Sequence, residues 1–143
     1  MQTQHQMTVH ASCVSVGGNG LLVFGKSGAG KSTLALQMVD LGADFVSDDR
    51  TVVTLGDGKI NAASPPAIAG LIEARGVGLL KIESIERAQI VACVDLDHIE
   101  IERLPIARVK QLLGQSIPCF HKVESVVFPS ALMHYLRGGK VEV

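Results

Sequence analysis

The chain has 143 residues, 47% of them hydrophobic and 19% charged, with 15 glycines and a formal net charge of −1. That length suits one domain, residues 1–143, and the apolar content excludes a disordered or fibrous chain in favour of a compact α/β protein rich in tight turns. One Tyr, no Trp and near-neutral charge supply neither a basic stripe nor a set of stacking aromatics, which disfavours direct DNA or RNA binding.

The polar start, Met1 to Gln6, lacks the basic flank and apolar core of a signal peptide, and no apolar run reaches membrane-spanning length. The expectation is a cytoplasmic protein with no membrane partner. Cys13, Cys93 and Cys119 are odd in number and far apart, a spacing that suits neither a disulfide framework nor a C-x-x-C metal site. They read as buried thiols.

Met7–Val16 alternates as a strand, and Gly17-Gly18-Asn19-Gly20 turns it into a second strand, Leu21–Phe24. The resulting antiparallel hairpin feeds directly into Gly25-Lys26-Ser27-Gly28-Ala29-Gly30-Lys31-Ser32, which fits the G-x-x-x-x-G-K-[ST] phosphate-binding pattern. Glycines there let the backbone turn its N–H groups inward on a phosphate, where a side chain would obstruct the approach. Lys31 would reach the β- and γ-phosphates, and the Ser32 hydroxyl would ligate magnesium. With Thr33, these residues form the expected nucleotide-binding set. Leu34, Leu36, Met38, Val39 and Leu41 give Lys31–Leu41 a helical apolar face, with Gly42 as the stop.

Ala43–Ser47 reads as a short strand ending in Asp48-Asp49, and in open α/β sheets the strand ends beside such a loop face the ligand. Adjacent residues on a strand point to opposite sides, so one carboxylate can face the phosphate while the other orients a metal-bound water or a neighbouring side chain. Phosphoryl transfer requires placement, charge neutralisation and a carboxylate that accepts the nucleophile's proton. A further hairpin is expected from Arg50–Leu55 through Gly56-Asp57-Gly58 to Lys59-Ile60.

Pro65-Pro66 breaks regular structure ahead of a short helical turn at Ala67–Leu71. Glu73 and Arg75 then sit among apolar residues and glycines, where they could pair with each other or cap a helix, or Glu73 could complete a magnesium shell. His10, on the first strand, could reach the same site if that strand lies beside Leu21–Phe24. Gln89–Leu96 reads as another strand. A helix is expected from Pro105 through Leu113 to a Gly114 stop, and a last one at Ala131–Leu136, ending at Gly138-Gly139. That last helix, carrying His134 and Tyr135, could meet a substrate or a neighbouring subunit, but core packing is favoured.

Taken together, His10, Gly25–Ser32, Val46-Ser47-Asp48-Asp49 and Leu71-Ile72-Glu73-Ala74-Arg75-Gly76-Val77-Gly78 resemble the catalytic domain of the bacterial HPr kinase/phosphorylase family. In that family a His precedes the phosphate loop, an Ala-Asp-Asp-like element follows the helix, and a Glu-Ile-Arg-Gly-like signature comes later. The resemblance spans roughly residues 8–120. It implies a single P-loop domain of α/β class, with a mixed sheet entered through an antiparallel hairpin and a nucleotide core like that of phosphoenolpyruvate carboxykinase. It also implies an ATP- and Mg²⁺-dependent kinase acting on a serine of an HPr-type phosphocarrier of the phosphotransferase system, assembled as a homo-oligomer, a hexamer in the family.

Carried over by residue, Asp48 becomes the base that takes the serine proton, with Asp49 beside it and His10 assisting. Ser32 and Glu73 hold magnesium. Phosphorolysis of the phosphoserine would use the same Asp48 in reverse. Two departures from the family pattern stand out: the expectation is a form without the separate N-terminal domain of longer members, and no Arg- and Gly-rich segment follows Ile117-Pro118. Lys122 or Arg108 could supply the missing cation. A non-catalytic ATP-binding sensor is the competing expectation, and a small-metabolite kinase a weaker one.

Overall fold

A computed structural model of the chain describes residues 5–141. In chain order the first half forms β1 (Gln6–Val9), β2 (Ala11–Val16), β3 (Asn19–Phe24), α1 (Lys31–Asp40), β4 (Asp44–Ser47), β5 (Thr51–Gly56) and β6 (Lys59–Ala63). After a 3-10 turn at Pro66–Ile68 come β7 (Leu71–Ala74), β8 (Gly78–Lys81), β9 (Ala88–Ile99), β10 (Val109–Leu112), β11 (Gln115–Lys122) and α2 (Phe128–Gly138).

Nine strands make one mixed sheet, in the order β1-β5-β6-β9-β3-β2-β4, with β11 also pairing along β9 and carrying β10. The hairpin expected upstream of the glycine-rich loop is present: β2 runs antiparallel to β3 with Ala11 opposite Phe24 and Val16 opposite Asn19. Gly17 and Gly18 both take positive φ, as a two-residue turn of this hand requires. β3 then lies parallel to β9, so the loop leaves the sheet beside the C-terminal end of a parallel pair. The segment expected as one strand over Met7–Val16 is broken by a bend at His10, because its halves pair with different neighbours: β1 with β5, β2 with β3 and β4. That break curls the sheet, and Thr51 Oγ1 donates to the Ala11 carbonyl at 2.7 Å where β5 passes close to β2.

The curl divides the apolar core in two. On the outer face, α1 and α2 cover Val14, Leu21, Val23, Phe45, Ala92 and Val94. Inside the curl, Ala11, Cys13, Leu22, Val46, Val53, Ile60 and Cys93 form the second cluster. Alternation along β9 shifts phase at a bulge near Val91, where the register steps from Gly20–Ile90 to Leu21–Ala92. Ile90 therefore faces inward, while Ala92, Val94 and Leu96 face the helices. All three cysteines are free and buried, and desolvation pushes the Cys13 thiol well above its ordinary pKa.

One helix expected in the second half is absent. Pro105–Leu113 is not a helix: its first residues are irregular, and Val109–Leu112 is β10, antiparallel to β11 with Leu112 opposite Gln115. Gly114 serves as a hairpin turn instead of a helix stop, together with Leu113 at φ 48°. Pairing with β11 satisfies this backbone, as in the bond from the Cys119 amide to the Arg108 carbonyl at 2.9 Å. The short helical turn expected at Ala67–Leu71 is present as the 3-10 turn Pro66–Ile68, and Leu71–Ala74 after it is extended, paired with β8 in a two-stranded sheet of its own whose Ile72 is fully buried. The last helix starts at Phe128, earlier than expected, with Pro129 in its first turn. It buries Leu132, Met133 and Leu136, while Tyr135 packs edge-on against Phe120 at 4.8 Å, as core packing predicts.

Candidate active site

The loop that leaves β3 folds as its glycines dictate. A Cβ on Gly25 would lie 2.9 Å from the Ala29 Cβ and 3.1 Å from the Leu96 Cβ, so the chain must pass Leu96 without a side chain there. Gly28 (φ 87°) and Gly30 (φ 105°) hold left-handed conformations that favour glycine, with open space where a side chain would stand. The Lys26 amide donates to both carboxylate oxygens of Asp97 at 3.1 and 3.2 Å, pinning the loop to the end of β9. Gly30 caps α1 without a side-chain cap. The first-turn amides of α1 are therefore turned toward the loop's interior, a setting that favours an anion.

Lys31 is buried, and its Nζ donates to the Gly25 carbonyl at 2.6 Å and the Lys26 carbonyl at 3.3 Å. The same Nζ stands 3.6 Å from Asp49 Oδ1. The two aspartates follow β4 in a bend and differ sharply in exposure, a divergence set by the turn and not by strand alternation. Asp48 is 7% exposed, whereas the Asp49 side chain is 57% exposed and its backbone takes φ 65°.

Asp48 is the hub of the site. Its Oδ1 accepts the Ser32 hydroxyl at 2.6 Å and the Ser12 hydroxyl at 2.8 Å, and its Oδ2 accepts the Glu73 amide at 3.0 Å. Three donors on a buried carboxylate offset its desolvation. Ser12, fully buried on β2, also accepts the Asp49 amide at 3.0 Å and so ties the two aspartates together. Sequence reasoning missed Ser12. The available signal was a hydroxyl residue inside an otherwise apolar strand, which must find a partner when buried.

A cavity of about 1030 Å³ joins these groups, lined by Ser27, Gly28, Gly30, Lys31, Ser32 and Thr33 on one side and by Asp48, Asp49, Glu73 and Arg75 on others. Gly25, Lys26 and Ala29 form the base of the loop and not its lining. Glu73 and Arg75 are exposed to this cavity. Neither pairs with the other among the described residues, and neither caps a helix: β7 buries Ile72 and Ala74 on its core face and turns Glu73 outward. Arg50, also missed, lines the same cavity.

His10 is not drawn in. It is exposed at the bend between β1 and β2, outside the cavity lining, with no described contact to Asp48 or Asp49. Arg108 is committed elsewhere: its guanidinium binds both Glu100 oxygens, at 3.1 and 3.2 Å, and holds that carboxyl below the usual range. Lys122 lines a separate, smaller cavity of about 300 Å³ beside Ala29 and Phe128. The cations that do reach the main cavity are Lys31, Arg50 and Arg75.

A pocket with exposed loop amides, buried ammonium and three carboxylates can hold a polyanion together with a hard cation. No helix among the described residues is long and apolar enough to cross a membrane.

Comparison with known proteins gives a consistent result. The family model described as the HPr serine kinase C-terminal domain matches residues 1–121. An HPr kinase/phosphorylase from Ralstonia nicotianae is 38% identical over 124 residues, covering 78% of this chain and 38% of that protein. One from Caldanaerobacter subterraneus subsp. tengcongensis is 38% identical over 81 residues, covering 56% of this chain and 27% of the relative. The chain thus spans well under half the length of the curated relatives it matches. Among solved structures, the Hpr(Ser) kinase/phosphatase from Coxiella burnetii superposes with a TM-score of 0.77 at 19% identity, over 92% of this chain and 88% of that one, a likeness of fold.

Proposed function

The chain belongs to the HPr serine kinase C-terminal domain family, and from that premise we propose that it transfers the γ-phosphoryl group of ATP to a serine of an HPr-type phosphocarrier protein. The observation that carries this reading is the single cavity shared by the glycine-rich loop, Lys31, Asp48, Asp49 and Glu73. In this reading the fold is a P-loop domain with a nucleotide core of the phosphoenolpyruvate carboxykinase kind. The protein acts in the cytoplasm as a homo-oligomer.

The phosphates would lie along Gly25–Thr33, with Lys31 exchanging the Gly25 and Lys26 carbonyls for phosphate oxygens. Ser32 and Glu73 offer hard oxygen donors of the kind Mg²⁺ takes, and the Glu73 carboxylate has no ion-pair partner among the described residues. When bound, the ion would neutralise charge on the phosphates. Asp48 would accept the proton of the incoming serine hydroxyl. Its oxygens already hold two hydroxyl donors, so an alcohol proton is the kind of partner this pocket is built to receive. Arg50 and Arg75, open to the cavity, would meet the charge of the transferring group in place of Arg108. The reverse reaction, phosphorolysis of phosphoserine, would run through the same residues with Asp48 returning the proton. His10 would take part only if the β1–β2 bend moved it toward Asp48.

One observation favours a second assignment of the base. Asp49 is the exposed carboxylate and lies 3.6 Å from the Lys31 ammonium, so it meets an incoming protein more readily than Asp48 does. In that arrangement Asp48 anchors Ser32, and Asp49 takes the proton.

Incubation with a purified HPr-type protein and γ-labelled ATP tests the function itself. Label on a serine supports the kinase. ATP binding with no transfer to protein, at any magnesium concentration, would establish the competing sensor, and transfer to small hydroxyl compounds with HPr inert would establish a metabolite kinase.

A further inference from the structure

A second cluster of chemistry-bearing side chains lies outside this cavity, at the same C-terminal end of β9 but on the side that faces β11. Asp95 on β9 and His121 on β11 are direct partners in the parallel register of the two strands. Just beyond them the pairing breaks: Lys122 is matched to Ile99, so residues 96–98 of β9 bulge out of the ladder. The bulge returns His98 toward Asp95, with Nδ1 2.8 Å from Asp95 Oδ2, and stacks its ring on that of His121 at a centroid distance of 5.1 Å. Bulges re-aim side chains in this way, and they concentrate beside functional sites.

The three donor atoms, one from each residue, lie within 4.8 Å of one another. Asp95 Oδ1 is held by the Asp97 amide at 2.9 Å, which leaves Oδ2 turned to the imidazole. Two borderline nitrogens and one carboxylate oxygen on converging elements suit Zn²⁺ or a neighbouring first-row cation better than Mg²⁺ or Ca²⁺, which prefer oxygen shells. Three protein ligands also leave a fourth tetrahedral position open.

We propose that Asp95, His98 and His121 form a binding site for a divalent transition-metal cation of the zinc class, distinct from the magnesium position at the phosphate loop. The site clamps β9 to β11 one residue away from Asp97, the carboxylate that pins the Lys26 amide. Its occupancy would therefore stiffen the strand end on which the phosphate loop rests. This inference does not depend on the kinase assignment, because it concerns residues outside that cavity.

Isothermal titration of the untagged chain with Zn²⁺ alone, in excess Mg²⁺ and without nucleotide, tests it. The expected result is one saturable site that His98→Ala weakens by more than about tenfold, the loss already typical of a metal's outer partners. His98 is 65% exposed, so this variant should fold, which circular dichroism checks. His121→Ala should weaken the site as much. A Co²⁺ spectrum reads the donor set: nitrogen and oxygen ligation gives no thiolate charge-transfer band. The proposal is overturned by absence of saturable binding, by unchanged affinity in His98→Ala, or by a thiolate band that would assign the metal to Cys93 and Cys119.

Discussion

The loop between β3 and α1 is irregular, and the stretch between β9 and β11 is irregular up to β10, yet the first was readable residue by residue and the second was not. In the loop, each local choice serves the geometry directly: Gly25 clears Leu96, Gly28 and Gly30 take positive φ, and Lys31 begins the helix that its apolar face predicts. Between β9 and β11, the conformation is set by partners distant in sequence. Within the expected helix Pro105–Leu113, Ile106 and Val109 are exposed and only Leu112 is buried, so the apolar residues that suggest a helical face share no buried side. Where local sequence carries the constraint, inference from sequence works; where pairing carries it, periodicity misleads.

Substitutions can break this contrast, and the largest effect belongs to the loop. Lys31→Ala removes the ammonium that the loop carbonyls hold, and phosphoryl transfer should fall by about 10²–10³-fold or more in a labelled-ATP assay, with folding intact by circular dichroism. Next comes the core that positions the loop. Phe45 is 1% exposed under α1, and Phe45→Ala should lower unfolding free energy by about 3–5 kcal/mol in a urea titration. A milder test falls on the hairpin that replaced the expected helix. Gly114→Ala has open space for its Cβ but inherits φ 80°, so it should cost about 1–2 kcal/mol. A helix stop would not sharpen that distinction, but β10–β11 amide protection falling in the variant, read by hydrogen exchange, would. Ile106→Ser, at 78% exposure, should change stability by less than about 0.5 kcal/mol, whereas a buried helical face would make it far more costly.

These contrasts show how much was legible. The Gly17-Gly18 and Asp57-Gly58 turns announced their hairpins, because glycine or a short polar residue occupies each positive-φ position. Leu113-Gly114 makes the same kind of turn with a leucine at φ 48°, a residue that gives no turn signal and suggests a helix end instead. The Asp48-Asp49 pair, Lys31, Ser32 and Glu73 were all identified from motif order, and the structure gathers them around one cavity. Ser12 was hidden because a buried hydroxyl in a strand looks like any other alternating residue until its partner, 36 positions away, is known. His10 stands exposed outside the cavity lining because the bend that carries it follows from β1 pairing with β5, a contact outside its own hairpin that the sequence does not announce.

The most direct test of phosphoryl transfer at this cavity is a single-turnover measurement with Asp48→Asn, using labelled ATP and an HPr-type protein. The account predicts transfer slowed by about 10²–10⁴-fold, the span a general base contributes, while ATP affinity stays within about tenfold of the unaltered chain. Transfer at the unaltered rate in Asp48→Asn, with Asp49→Asn inactive instead, would contradict the assignment of the proton acceptor, and full activity in both variants would contradict the site.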